Sequence, residues 1–179
     1  MNFSPHGLWT LPSSDEKILR TYDVNILAHF WTLKAFLPDM ISAKKGHIVN
    51  IASLAGHSGT NKLVDYCSSK FAAVGLDDAL KVELKVQGHD YIQTTVVCPY
   101  YISTGMFSGV KSKIIPILEP EYVADQAVQG IITNKPHVIV PWWCAILVTL
   151  RTVLPHKGFM YLSKVFGFNC SMDDFEGRK

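Results

Sequence analysis

Three short apolar runs limit what this chain can fold into. HIVNI (47–51), IQTTVVCP (92–99) and HVIV (137–140) are rich in β-branched residues and almost uncharged. Runs of that length and composition suit strands buried on both faces. The intervals between them carry helical spacing instead: Leu76, Leu80 and Leu84 in one, Val123, Ala127 and Ile131 in the other. A further helical stretch precedes the first run. Helix–strand–helix–strand–helix–strand order implies βαβ units, and so an α/β fold with a Rossmann-type parallel sheet and flanking helices. Right-handed crossovers bring the loops that follow the strands to one carboxyl edge.

Local signals set the boundaries. Ser13 with Glu16 three residues on reads as a capping box opening the first helix, which continues through ILRTYDVNILAHFWTLKAFLPDM with Pro38 near its end. Asp65 opens the second helix and Gly88 stops it. Pro120 sits in the first turn of the third. The sequence contains no internal repeat and no low-complexity tract.

At 179 residues the chain suggests one domain with a sizeable core. Hydrophobic residues at 48% against 18% charged exclude a disordered chain. A net charge of +2, with no basic stripe interleaved with aromatics, argues against nucleic acid; Lys111 and Lys113 read as a solvated loop. The four cysteines, Cys67, Cys98, Cys144 and Cys170, form no CxxC pair, and a reducing, cytosol-facing location is the simplest reading. The seven histidines lack metal-ligand spacing, so no metal is expected. MNFSPHGLWTLPSS has neither the basic n-region nor the apolar h-region of a signal peptide, and does not read as a membrane anchor. Val138–Leu150, VIVPWWCAILVTL, is charge-free but falls short of the roughly 20 residues that span a bilayer. Residues 138–155 suit either a helix packed on the sheet or a membrane-interface segment, with Trp142 and Trp143 at headgroup depth and Arg151 and Lys157 facing lipid phosphates.

DYCSSKFAAVGL (65–76) carries the chemistry. Tyr66 and Lys70 are i and i+4, on one helix face. A tyrosine pKa of about 10 is too high for a base at neutral pH. An ammonium at about 4 Å, at an effective dielectric near 20, contributes of order 4 kcal/mol and would lower it by up to about three pKa units. Ser53, after the first strand, is a hydroxyl that could hold a substrate oxygen at the same point. Such a site supports proton exchange with an alcohol or carbonyl, given a hydride carrier. A Ser-His-Asp hydrolase built from Ser58, His57 and Asp65 lacks the G-x-S-x-G elbow.

Ser53, then Tyr66 thirteen positions on, then Lys70, resembles the active site of the short-chain dehydrogenase/reductase family. Asn25 in YDVN falls on the family's helical asparagine, which holds a water that links the lysine to solvent. CPYYISTGMF resembles the segment after the family's sixth strand. By that resemblance Pro99, Ile102 and Thr104 contact the nicotinamide end of NAD or NADP, and Lys70 also binds the nicotinamide ribose beside Tyr66. Tyr100 stands where glycine is more usual. Thr104 could also be a plain turn residue. Met106 and Phe107 are either ordinary core or substrate-facing. NILAHFWTLKAFLPDM, GHIVNIAS, DYCSSKFAAVG and PILEPEY narrow the resemblance to the retinol dehydrogenase and 17-beta-hydroxysteroid dehydrogenase branch, in particular its epidermal retinol dehydrogenase group. This implies a lipophilic alcohol such as retinol or a hydroxysteroid, and an endoplasmic reticulum or lipid-droplet surface facing the cytosol.

The likeness covers 14–179, with 1–13 unrelated to it. The family's first strand, its TGxxxGxG turn for the pyrophosphate, its ribose-selecting residue and NNAG are not in this sequence. The chain thus resembles the second half of a dehydrogenase. Two functions are implied: an oxidoreductase acting on a lipophilic alcohol or carbonyl, or a non-catalytic binding module. In the second, the helices of residues 14–40 and 65–86 would pair in a homodimer or with a full-length family member. By family strand order, the first strand would keep one bare apolar edge.

Overall fold

The computed structural model describes residues 13–107, 109–168 and 171–175. Most of the segment expected to be unrelated to the family, and Cys170, lie outside the described residues. Three strands, β1 (Gly46–Ile51), β2 (Ile92–Pro99) and β3 (His137–Val140), form one parallel sheet in the order β1-β2-β3. Val49 faces Thr95 across the first pair and Val97 faces Val138 across the second. The central strand is the most buried, as its unbroken apolar run required: Val96, Val97 and Cys98 are inaccessible or nearly so. No described residue pairs with the outer edge of β1, where Ile51 is exposed.

One face of the sheet is covered by α1 (Asp15–Tyr22), α2 (Ala28–Ser42) and α3 (Val64–Val86). Ile26, Ala73, Val74 and Leu76 meet Val96 and Cys98 there, and Leu84 packs on Ile48 and Ile92. On the other face α4 (Pro120–Ile132) brings Val123 against Val97, Val138 and Val140. Gly88, at φ 78°, ends α3: its N–H bonds the Lys85 carbonyl and the His89 N–H bonds that of Leu84. This is a Schellman closure, which favours a residue without Cβ.

The first helix departs from expectation in two ways. Its N-cap is Ser14, whose side chain accepts from the Lys17 N–H, so the capping box read from Ser13 and Glu16 is one residue out of register and is not formed. The single long helix is broken by a π-helical turn, Asp23–Leu27, between α1 and α2. One extra residue in the turn shifts the helix face, and such turns are frequent at functional sites. Asn25 lies in it.

The charge-free run after β3 resolves into a helix. Trp142 and Trp143 turn the chain into α5 (Cys144–Val153), followed across Leu154 and Pro155 by α6 (His156–Val165). No helix among the described residues is long and apolar enough to cross a membrane. The polar tail also folds back: Met172 is fully buried against Leu63, Cys67 and Val110, and Lys111 pairs with Asp174 at 2.7 Å.

Candidate active site

The loop after β1 is shaped by Ser53. Its extended backbone (φ −173°) caps a short 3-10 turn, Leu54–Gly56, and its Oγ accepts from the Ala55 N–H at 3.1 Å. The same hydroxyl donates to the Pro99 carbonyl at 3.4 Å, tying the loop after β1 to the end of β2. Gly56 allows this turn to lie against α3, because a Cβ there would stand 2.6 Å from the Lys70 carbonyl oxygen.

Tyr66 and Lys70 occupy the first turns of α3. Two struts from the first helical layer fix that end: Tyr22 donates to Ser68 Oγ at 2.7 Å, and Asn25 Nδ2 donates to Ser69 Oγ at 3.1 Å. Ser69, itself buried, donates to the Tyr66 carbonyl at 2.7 Å. The π turn therefore brings Asn25 onto the start of α3. Segment 99–104 is held by Leu118, which accepts from the Ser103 N–H and donates to the Tyr101 carbonyl.

Asn25, Ser53, Tyr66, Lys70, Pro99, Ile102, Thr104, Met106 and Phe107 all line one cavity of about 360 Å³. Every residue named from the sequence as a candidate is thus brought to the same place. The Phe107 ring meets Tyr66 edge-on, with centroids 5.8 Å apart, and Tyr101 at 5.0 Å.

The electrostatics differ from the sequence expectation. Lys70 is buried, its Nζ donates to the Ile51 carbonyl at 3.1 Å, and it lies 5.8 Å from the Tyr66 ring centroid. Burial lowers the lysine's pKa, with the nearby Cys98 opposing. Tyr66 is pushed above 10.0 by burial, against a lowering hydrogen bond to Ser53. Burial, and not Lys70, sets the direction of the Tyr66 shift, because desolvation penalises the charged form of each group.

The other wall of the cavity was missed from the sequence. Cys144, Leu147, Val148 and Arg151 of α5, Phe159 and Ser163 of α6, and Phe168 and Ser171 beyond it complete the lining. A signal was present, since Cys144, Leu147, Val148 and Arg151 follow i, i+3, i+4, i+7, the mark of one helix face. Cys67, Cys98 and Cys144 are buried free thiols; burial pushes Cys98 up to about 12 and Cys144 to about 11. Among the described residues no cluster of side chains could hold a metal ion.

Comparison with known proteins identifies the family. Epidermal retinol dehydrogenase 2 of Homo sapiens is 42% identical over 94% of this chain and 56% of its own length. The 17-beta-hydroxysteroid dehydrogenase 13 of Mus musculus is 46% identical over 79% of this chain and 46% of its own. The chain spans about half the length of the curated relatives it matches. A short chain dehydrogenase from Burkholderia cenocepacia, in complex with NADP, superimposes with a TM-score of 0.71 at 19% identity, over 88% of this chain and 62% of that one. The family model described as short chain dehydrogenase matches residues 10–114, and the chain belongs to that family of oxidoreductases.

Proposed function

We propose that this chain carries the catalytic half of an NAD- or NADP-dependent oxidoreductase that interconverts a lipophilic alcohol, a retinoid or a hydroxysteroid, with its carbonyl. The observation that carries this is the convergence of Ser53, Tyr66, Lys70 and Asn25 on one largely apolar cavity. Ser53 Oγ, which lines the same cavity as the Tyr66 phenol, orients the substrate oxygen. Tyr66 donates a proton to that oxygen in reduction and takes it back in oxidation. Asn25 braces the helix that carries both Tyr66 and Lys70 and supports the proton relay. Met106, Phe107, Leu147 and Val148 exclude water and suit a lipophilic body.

The residues present fit the nicotinamide-ribose end of the cofactor. Lys70 has three N–H donors and one acceptor in the structure, the Ile51 carbonyl, leaving donors for ribose hydroxyls. Pro99, Ile102 and Thr104 form the wall beside it. The bound nicotinamide would supply the hydride acceptor or donor. The turn that receives the pyrophosphate is not in this sequence. Relatives and structural neighbours named as dehydrogenases, one of them solved with NADP, support the reading.

Tyr66→Phe removes one hydroxyl and tests it. Retinol or hydroxysteroid oxidation, followed by NADH or NADPH absorbance, is expected to fall by about 10²- to 10⁴-fold with folding intact. A smaller loss overturns the role of Tyr66.

A second reading is favoured by exposed apolar residues on the first helical layer and α3, among them Val24, Trp31, Phe36, Val82 and Val86. These are the faces through which the chain would pair with itself or a full-length relative as a non-catalytic module. In that case Tyr66→Phe leaves pairing intact and the native chain binds no NAD(P)H. The outward side of α5 and α6 exposes Trp142, Ile146, Val153, Met160, Tyr161 and Val165 near Lys157 and Lys164. We assign it to a cytosol-facing lipid surface, endoplasmic reticulum or lipid droplet. Flotation with anionic vesicles that survives Trp142→Ser with Ile146→Ser would remove that assignment.

A further inference from the structure

Arg151 closes the cavity wall in an unusual way. It is part-buried, it donates to the His57 carbonyl, and its guanidinium carbon lies 5.1 Å from the Phe71 ring centroid. Among the described residues no carboxylate lies within ion-pair distance of it. A guanidinium presents five N–H donors, of which one has a partner here. A part-buried cation without a counterion is costly unless something meets it.

Its position says what could meet it. The cavity around Tyr66 runs into an outer groove between the start of α3 and the α5–α6 pair, and Arg151, Phe159, Ser58 and Thr60 line both. Tyr66, Ser53 and Lys70 line the inner cavity alone. Among the described residues no Asp or Glu lines either space, whereas Lys70, Arg151, His57 and His156 do. Met106, Phe107, Leu147 and Val148 also line the inner cavity and make part of its wall apolar. The combined space therefore holds a hydroxyl pair that lines the inner cavity alone, an apolar wall, and a guanidinium shared with the outer groove that has no carboxylate partner among the described residues.

We propose that the site accepts an acidic lipid alcohol or its oxo form, with the reacting oxygen at Ser53 and Tyr66, the apolar body along α5, and a carboxylate on Arg151. This rests on the active-site reading above and narrows its substrate class. Arg151 is a specificity residue; it takes no part in the proton transfer. The planar fork of arginine matches a carboxylate bidentately, which a lysine would not.

The test uses the full chain and a matched pair of ligands: a long-chain hydroxy fatty acid and its methyl ester, each displacing a fluorescent polyene alcohol. Both share the hydroxyl and the apolar body and differ in charge. The acid is expected to bind about tenfold or more tightly than the ester. Arg151→Met is expected to erase that gap and leave ester binding unchanged. Ser58→Asp, which sets a carboxylate beside the guanidinium without removing it, is expected to erase it too and covers the case in which Arg151→Met fails to fold. Equal binding of acid and ester by the native chain, or a gap that survives either variant, overturns the proposal. Ser53→Ala with Tyr66→Phe separates the two readings. If that pair leaves ester binding untouched while the Arg151-dependent gap persists, the hydroxyl does not sit at Ser53 and Tyr66, and the active-site reading fails while a carboxylate site stands.

Discussion

A buried lysine and a partly buried tyrosine share one helix face, and each is shifted away from its charged form. That Tyr66 and Lys70 share a face was legible from spacing, because i and i+4 on any helix face the same way. Their electrostatics were not legible. The Coulomb argument omits desolvation, which leads the Tyr66 shift and depends on side chains far off in sequence that close over the helix. Lys70→Met separates structure from chemistry. It removes an ammonium whose pKa burial already lowers, at the loss of one hydrogen bond to an exposed residue's carbonyl. The expected outcome is a melting temperature unchanged or raised, with turnover down at least about a hundredfold. A fall of more than about 4 °C, the equivalent of roughly 1 kcal/mol or more in a chain this size, would show that the ammonium stabilises the fold.

Among the elements, the strands were read to within a residue and the helix ends less well. β1, β2 and β3 announce themselves because a parallel strand buried on both faces has no polar alternative. The π turn at Asp23–Leu27 left no mark in composition, since it is a change of hydrogen-bond register that Asn25 and Tyr22 stabilise by reaching α3. The shift of the first N-cap from Ser13 to Ser14 has the same origin: both serines can cap, and packing chooses. The 3-10 turn after Ser53 shows how close the elements lie. Gly56→Ala would drive a methyl onto the Lys70 carbonyl, a backbone atom that cannot swing aside. Destabilisation of about 1–3 kcal/mol by urea unfolding is expected, with a larger loss of activity as Ser53 moves away from Tyr66. Native stability in this variant would mean that the loop lifts off α3 without strain.

Over the whole molecule, burial of titratable groups sets a pH window. His29 is lowered from 6.5 by burial and then by Lys70, and His57 by burial and then by His137. Their unfolded forms bind protons that the folded forms refuse, so stability is complete above about pH 6.5 and falls below it. Cys98 and Tyr100, pushed up to about 12, work at the other end. Their folded forms hold protons that the unfolded chain releases from pH 9.0 and 10.0, so their stabilisation is lost as pH rises above 9.0, with the lowered Lys70 opposing in part. Thermal melts are expected to show a plateau between about pH 6.5 and 9 with a decline on each side, and Cys98→Ala should soften the alkaline limb. A midpoint that keeps rising below pH 6 would contradict the burial of the two histidines.

At that same scale the sheet order was legible and the closing wall of the site was not, because α5 and α6 reach the cavity only after the chain has crossed β3. Tyr66, Lys70 and Ser53 lie between residues 53 and 70, whereas Leu147, Val148 and Arg151 belong to a later, continuous stretch. On the proposed reading, most of the proton-transfer residues and the Arg151 wall lie in separate stretches of the chain. A cassette from residue 144 to 165, exchanged between relatives, would transplant ligand preference onto an unaltered proton-transfer apparatus, and a lineage could diversify its diet of lipids without ever risking its chemistry.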